Sequence, residues 1–150
     1  MSSAVHENVP REPRRLVAEP SGTVLCVGSL AEIFGPGDRA VLLVEWASAE
    51  RDSAGRDGAE RAGADPEELL LLRLRHGVFA LVNRCPHLGR RLDDGRVRGH
   101  SLQCRGHGRS YSLRTGRSAG TLALGGPPKL RRVPAWAESG LLYLDLTSLP

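Results

Sequence analysis

The sequence predicts a single all-β domain. Short apolar runs are separated by turn residues throughout the chain, which is typical of short strands. The chain has 150 residues, enough for one domain with a modest core. In chain order, the runs predicted as strands are 23–28, 40–46, 69–75, 78–83, 100–103, 111–113, 130–133 and 141–146.

The first part of the chain predicts a tail followed by a folded domain. Residues 1–21 are polar and proline-rich, which predicts a disordered tail before a domain at 22–147. Arg14 and Arg15 precede only three apolar residues, too few for an export signal. No apolar run approaches membrane-spanning length, so we expect a soluble, cytoplasmic protein without a membrane contact.

The next segments predict two strands, a helical turn and an insertion. Cys26 lies in an apolar run and is interpreted as a small buried residue of the first strand. Ser29 is placed to cap one short helical turn. Residues 47–68 are rich in Ala, Gly and charge, with a net acidic balance and no hydrophobic period, which predicts a solvated insertion loop.

Two hairpins are predicted in the second half. Residues 69–75 and 78–83 flank His76 and Gly77, which indicates a hairpin with His76 in its turn. Thr115 and Gly116 indicate the turn of another. The first hairpin ends at residue 83, just before a cysteine and a histidine that could bind a metal.

That chemistry lies in two short Cys/His pairs. Cys85 and His87 form a C-x-H pair, and Cys104 and His107 form a C-x-x-H pair. Two cysteines and two histidines can hold a structural zinc ion, but the usual zinc finger keeps its cysteines and histidines in separate pairs. One of each in both pairs suits a [2Fe–2S] cluster in which two cysteines hold one iron and two histidines the other.

The two pairs closely resemble the loops of the Rieske [2Fe–2S] family, whose first loop often reads Cys-Pro-His-Leu-Gly as here. The resemblance implies a Rieske-type antiparallel β-sandwich with a cluster-binding subdomain at about residues 84–130. It implies that Cys85, His87, Cys104 and His107 bind the cluster and its metal. Residues 125–128 are similar to the proline loop that covers the cluster in that fold.

Three positions depart from the high-potential branch of the family. Arg90 and Gly106 stand where those proteins have disulfide-forming cysteines, and Arg109 replaces a serine that bonds a cluster sulfide. Tyr111 matches a second hydroxyl donor. Because hydrogen bonds to the sulfurs raise the potential, these changes predict the ferredoxin-type branch, without the disulfide and with a potential low in the Rieske range.

The resemblance implies a non-catalytic electron-transfer component. After His107 the chain has no histidine, so the mononuclear iron site of Rieske oxygenases is not expected. We expect a ferredoxin that passes electrons from a reductase to an oxygenase. The alternatives are the small subunit of a larger oxidoreductase, such as a nitrite reductase, and a zinc-bound interaction module.

Charge is unevenly distributed along the chain. Residues 84–132 contain twelve Lys or Arg and two Asp or Glu, whereas the remainder contains nine basic and fifteen acidic residues. Without aromatic interleaving or a helix-turn-helix pattern, the basic segment does not indicate nucleic-acid binding. We expect it to steer an acidic redox partner. The arginines in or beside the loops are Arg90, Arg91, Arg105 and Arg109.

Overall fold

The computed structural model describes residues 14–18, 24–46, 66–86, 89–106, 108–118 and 129–149. Within these ranges the chain forms eleven strands and one short helix, so the all-β prediction is confirmed. The elements are β1 (Arg14–Ala18), β2 (Val24–Ser29), α1 (Leu30–Phe34), β3 (Arg39–Trp46), β4 (Glu67–Leu74), β5 (Gly77–Val82), β6 (Arg96–Arg98), β7 (Ser101–Gln103), β8 (Ser110–Ser112), β9 (Arg132–Val133), β10 (Ala135–Glu138) and β11 (Leu141–Asp145).

The largest sheet has five strands in the order β1-β3-β4-β5-β9. The predicted hairpin forms its centre: β4 pairs antiparallel with β5, and Leu74 lies opposite Gly77 across a turn that contains His76. Strand β4 is apolar without alternation because both of its faces are buried. Leu69 and Leu71 enter one hydrophobic core, and Leu70 and Leu72 enter another.

The first core lies between this sheet and a second, three-stranded sheet in the order β10-β11-β2. Strand β11 sends Leu142 and Leu144 into this core. Helix α1 lies beside it and begins at Ser29, whose hydroxyl accepts a hydrogen bond from the Glu32 N–H at 3.1 Å. The predicted cap is therefore confirmed.

The second core joins the large sheet to a small sheet in the order β6-β7-β8. Leu102 of β7 and Tyr111 of β8 lie opposite one another, and both are fully buried in this core. The first predicted cluster loop precedes β6, and the second joins β7 to β8. Both loops therefore lie at the small sheet, which the second core joins to the large sheet.

The predicted tail is wrong for part of its length. Arg14–Ala18 form strand β1, which pairs in parallel with β3. Leu16 packs against the first core and Ala18 is fully buried, so the strand supplies apolar residues to the sandwich. Parallel pairing between distant segments leaves no local turn signal in the sequence. The rest of the predicted tail lies outside the described residues.

Other boundaries and burial assignments also differ from those predicted. Cys26 lies in β2 but is exposed, because alternation turns Leu25 and Val27 toward the first core instead. Strand β4 begins at Glu67, so the last two residues of the predicted 47–68 insertion belong to the sheet. Strands β6 and β10 were not predicted. Residues 47–65 and the 125–128 proline loop lie outside the described residues.

Across the described ranges, no helix combines the length and apolar character needed to cross a bilayer. The cytoplasmic location stays a prediction.

Asn83 anchors the start of the first loop to the sheet. It is the buried polar residue that follows β5. Its Oδ1 accepts a hydrogen bond from the Leu92 N–H at 2.9 Å, and its Nδ2 donates to Glu68 Oε1 at 2.8 Å and to Asp93 Oδ1 at 3.2 Å. One amide thus joins the chain on both sides of the loop to strand β4.

We expect Asn83→Ala to lower the free energy of unfolding by about 1–3 kcal/mol, because the buried Leu92 N–H loses its acceptor. Urea denaturation followed by far-UV circular dichroism measures this loss. Gln103→Ala is the control, since its amide makes an exposed hydrogen bond to the Gly108 carbonyl. Equal losses in the two variants would contradict an anchoring role for Asn83.

Candidate functional site

The first predicted loop is closed by two backbone hydrogen bonds. The Cys85 N–H donates to the Arg90 carbonyl at 2.6 Å, and the Gly89 N–H donates back to the Cys85 carbonyl at 2.7 Å. Gly89 has φ 75°, a left-handed conformation that glycine adopts at little cost. The cysteine and the residue five positions later therefore meet at the base of the loop.

The second predicted loop is closed in the same way. The Cys104 N–H donates to the Arg109 carbonyl at 2.8 Å, and the Gly108 N–H donates to the Cys104 carbonyl at 2.9 Å. Gly108 has φ 70°. Both loops thus share one backbone design, a cysteine followed four residues later by a left-handed glycine. This equivalence was readable in the sequence as the spacing from each cysteine to a glycine.

Both loop cysteines lie in the second core. Cys85 is 1% exposed and Cys104 is fully buried. They pack with Leu70, Leu92 and other apolar side chains. A thiolate is costly to bury in such surroundings unless a cation neutralises it. Iron bound by the two thiolates would supply that cation, so the donor set fits the predicted cluster.

Tyr111 provides a hydroxyl group beside the first cysteine. Its Oη lies 3.4 Å from the Cys85 Sγ. Burial first, and then this hydrogen bond, raise the pKa of the Tyr111 hydroxyl well above its usual range, so it keeps its proton at neutral pH. A metal-bound thiolate carries no proton, so the hydroxyl is then the donor and the sulfur the acceptor.

The two loops also meet through Arg90 and Gly106. A Cβ atom on residue 106 would lie 2.6 Å from Cδ of Arg90, closer than real Cβ contacts. The arginine stem therefore occupies the space that a side chain at position 106 would need. The positions where high-potential relatives form a disulfide are thus in contact here through an arginine and a glycine.

The segment after the first loop is held by arginines that the sequence did not single out in this role. Arg91 forms ion pairs with Glu68 at 2.8 Å and with Asp93 at 3.0 Å. Arg39 of β3 donates through Nη1 to the Asp93 carbonyl at 2.7 Å and to the Gly95 carbonyl at 2.8 Å. These contacts join the first loop to strands β3 and β4.

The structure therefore brings two of the four predicted ligands to one place. Cys85 and Cys104 both border Tyr111 in the second core. His87 and His107 lie outside the described residues, and their ligand role stays a prediction. Without them, the described part of the chain holds no group of three His, Cys, Asp or Glu side chains suited to a metal ion.

Comparisons with known structures agree with this architecture. A chain in the complex of reduced oxygenase and oxidized ferredoxin in carbazole 1,9a-dioxygenase matches with 20% identity and a TM-score of 0.53, over 82% of this chain and 93% of that one. The ferredoxin of carbazole 1,9a-dioxygenase from Nocardioides aromaticivorans IC177 matches with 19% identity and a TM-score of 0.52, over 83% of this chain and 98% of that one. At these identities the likeness establishes the fold.

No curated protein matches this chain. The family model of the Rieske [2Fe-2S] domain matches residues 46–134, more than half of the chain, and this match includes both loops and Tyr111. With two buried cysteines on equivalent loops inside that match, the protein belongs to the Rieske [2Fe–2S] domain family and is an electron carrier of that type.

Proposed function

We propose that this protein is a Rieske-type ferredoxin that carries single electrons from a reductase to an oxygenase. The observation that supports this most directly is the pair of equivalent loops that present buried Cys85 and Cys104 beside Tyr111. The fold likeness to the Nocardioides ferredoxin spans 98% of that chain and is consistent with a carrier of similar architecture.

In this proposal Cys85 and Cys104 hold one iron, and His87 and His107 hold the other. A [2Fe–2S] cluster held by these residues would supply one-electron transfer. The chain contributes two thiolates, which stabilise the oxidised iron, and two neutral imidazoles, which lower the negative charge of the site. Tyr111 donates a hydrogen bond toward the Cys85 sulfur, and the apolar second core keeps water from both thiolates.

Cys85→Ser and Cys104→Ser should each lose the cluster, because a serine hydroxyl is a poor substitute for a thiolate on iron. Iron and acid-labile sulfide analysis, with visible and EPR spectra of anaerobically purified protein, measures this. Cys26→Ser is the matched control, since Cys26 is exposed on β2. Full iron and sulfide in both loop variants would contradict the ligand assignment. A colourless wild type containing zinc would favour the interaction-module alternative.

Tyr111→Phe should shift the reduction potential to a more negative value, since the hydroxyl hydrogen bond stabilises the reduced, more negative cluster. A difference of about 1 kcal/mol between the two states corresponds to roughly 40 mV for one electron. Protein-film voltammetry measures this shift.

The same measurement gives the reduction potential of the wild type. With Arg109 in place of the other hydroxyl donor, we expect this potential in the lower part of the Rieske range, which runs from roughly −150 to +300 mV.

Tyr143→Phe is the control for that substitution. Tyr143 stacks on Trp136 in the second sheet, with ring centroids 5.9 Å apart, and lies outside the second core that holds the cysteines. An unchanged potential in Tyr111→Phe would mean that the hydroxyl does not tune the cluster.

The runner-up is the small subunit of a larger oxidoreductase, such as a nitrite reductase. A ferredoxin should elute in gel filtration as a monomer of about 16.2 kDa and remain folded alone. A subunit should aggregate or lose its cluster without its large partner. Elution and cluster retention of the isolated protein therefore distinguish the two.

The partner is proposed to dock near the cluster loops through basic side chains. Arg90, Arg91 and Arg105 are exposed and Arg109 is half-buried. Such charges would steer an acidic partner and raise the encounter rate, with a dependence on ionic strength.

A further inference from the structure

The three exposed loop arginines differ in how much of their charge is available to a partner. Arg91 lies between two carboxylates, those of Glu68 and Asp93, which compensate its charge. Arg90 lies across Gly106 and fills the gap between the loops. Arg105 has neither a carboxylate partner nor a packing contact of that kind. Its side chain is exposed and forms no ion pair or hydrogen bond among the described residues.

A cleft of about 510 Å³ opens beside the second loop, on the side of strand β6. It reaches Cys104 and Gly108 of the loop itself, and it is too large for a single small anion. Three of its lining side chains are arginines, and one is an acid. The charged lining residues are Arg39, Arg96, Arg105 and Asp94.

Two of the three arginines that line this cleft have no carboxylate partner among the described residues, and the third is compensated only in part. Arg39 is 23% exposed and is held by the carbonyls of Asp93 and Gly95, and its Nε lies 3.6 Å from the exposed Asp38 carboxylate, so its cation is fixed in place and partly compensated. Arg96, like Arg105, is exposed and makes no side-chain hydrogen bond or ion pair within the part of the chain described. Among the side chains that line the cleft, the single carboxylate of Asp94 accompanies three guanidinium groups.

We propose that this cleft is the docking site for acidic side chains of the redox protein partner. The proposal rests on the function proposed above and narrows the contact to the second loop. Carboxylates and guanidinium groups form paired, charge-assisted hydrogen bonds, and the cleft offers several donors at separate positions. A partner carboxylate bound there would lie beside the loop that carries Cys104, which brings the partner surface close to the cluster.

Of the arginines that the sequence groups around the loops, Arg105 lines the cleft and Arg91 does not, and the cleft adds two arginines from other strands. Arg96 and Arg39 lie in the cleft, although Arg96 is on β6 and Arg39 is on β3. Arg91 lies beside the first loop but is already compensated. Loss of Arg105 or Arg96 should therefore weaken docking more than loss of Arg91 does.

The test uses a fluorescein-labelled decaglutamate peptide and fluorescence anisotropy with cluster-loaded protein at low salt. We expect Arg96→Gln and Arg105→Gln each to weaken binding about threefold and the double variant about tenfold. Binding should weaken further as salt rises, because screening shortens the range of the charges. Unchanged visible spectra show that the cluster and its loops remain intact.

Arg75→Gln is the matched control, because Arg75 is an exposed arginine in the β4–β5 turn, outside the cleft. It removes the same charge from another surface and should leave binding within the error of the wild type. Equal weakening in Arg75→Gln would mean that only net charge matters, and equal weakening in Arg91→Gln would place docking on the first loop. Either result overturns the proposal.

Binding of inorganic phosphate to the same protein is the last measurement. If phosphate alone binds the cleft as strongly as the peptide, the cleft is a small-anion site and the docking proposal is wrong. Failure of the proposed function appears separately, as wild-type protein without iron and sulfide, whether or not the peptide binds.

Discussion

Burial of strand β4 on both faces is the constraint on which the rest of the structure depends. Leu69 and Leu71 belong to the sandwich core, and Leu70 and Leu72 belong to the core beneath the cluster loops. Each fully buried leucine contributes about 1.5–3 kcal/mol relative to an exposed one. Because consecutive β4 residues pack into opposite cores, the sandwich and the small cluster-loop sheet both pack against this strand. They cannot separate without exposing its leucines to solvent.

The same strand explains how the site is held. The carboxylate of Glu68, next to Leu69, accepts a hydrogen bond from Asn83 and forms an ion pair with Arg91. These contacts hold the base of the first loop against strand β4. Strand β5 continues the arrangement, with Leu81 in the second core and Val82 in the first. The first loop therefore begins on backbone that two cores already position, whereas the second loop lies between strands whose Leu102 and Tyr111 belong to the second core.

Features with a local cause could be predicted from the sequence. The β4–β5 hairpin, the Ser29 cap and the two Cys/His pairs each have a signal within a few residues. Strand β1 could not be predicted, because its partner β3 lies more than twenty residues away and its pairing is parallel. The exposure of Cys26 depends on which face of an edge strand points inward, and an unbroken apolar run does not reveal that.

The contacts of the site show the same division. The cysteine-to-glycine spacing in each loop is local and was present in the sequence. The Asn83 anchor and the Arg39 contacts join residues of different strands, so no spacing pointed to them. No spacing pointed to the contact between Arg90 and Gly106 either, although the family resemblance had already paired these two positions.

The exposure of Cys26 gives this protein two classes of thiol. Those of Cys85 and Cys104 are buried, whereas that of Cys26 faces solvent on the outer surface of the second sheet, opposite Tyr143. Reagents and oxidants reach accessible sulfur first, so peroxide damage or maleimide labelling of the intact fold starts at Cys26. A fluorophore placed there would lie near the stacked Tyr143 and Trp136 rings and report on that sheet without touching the loops.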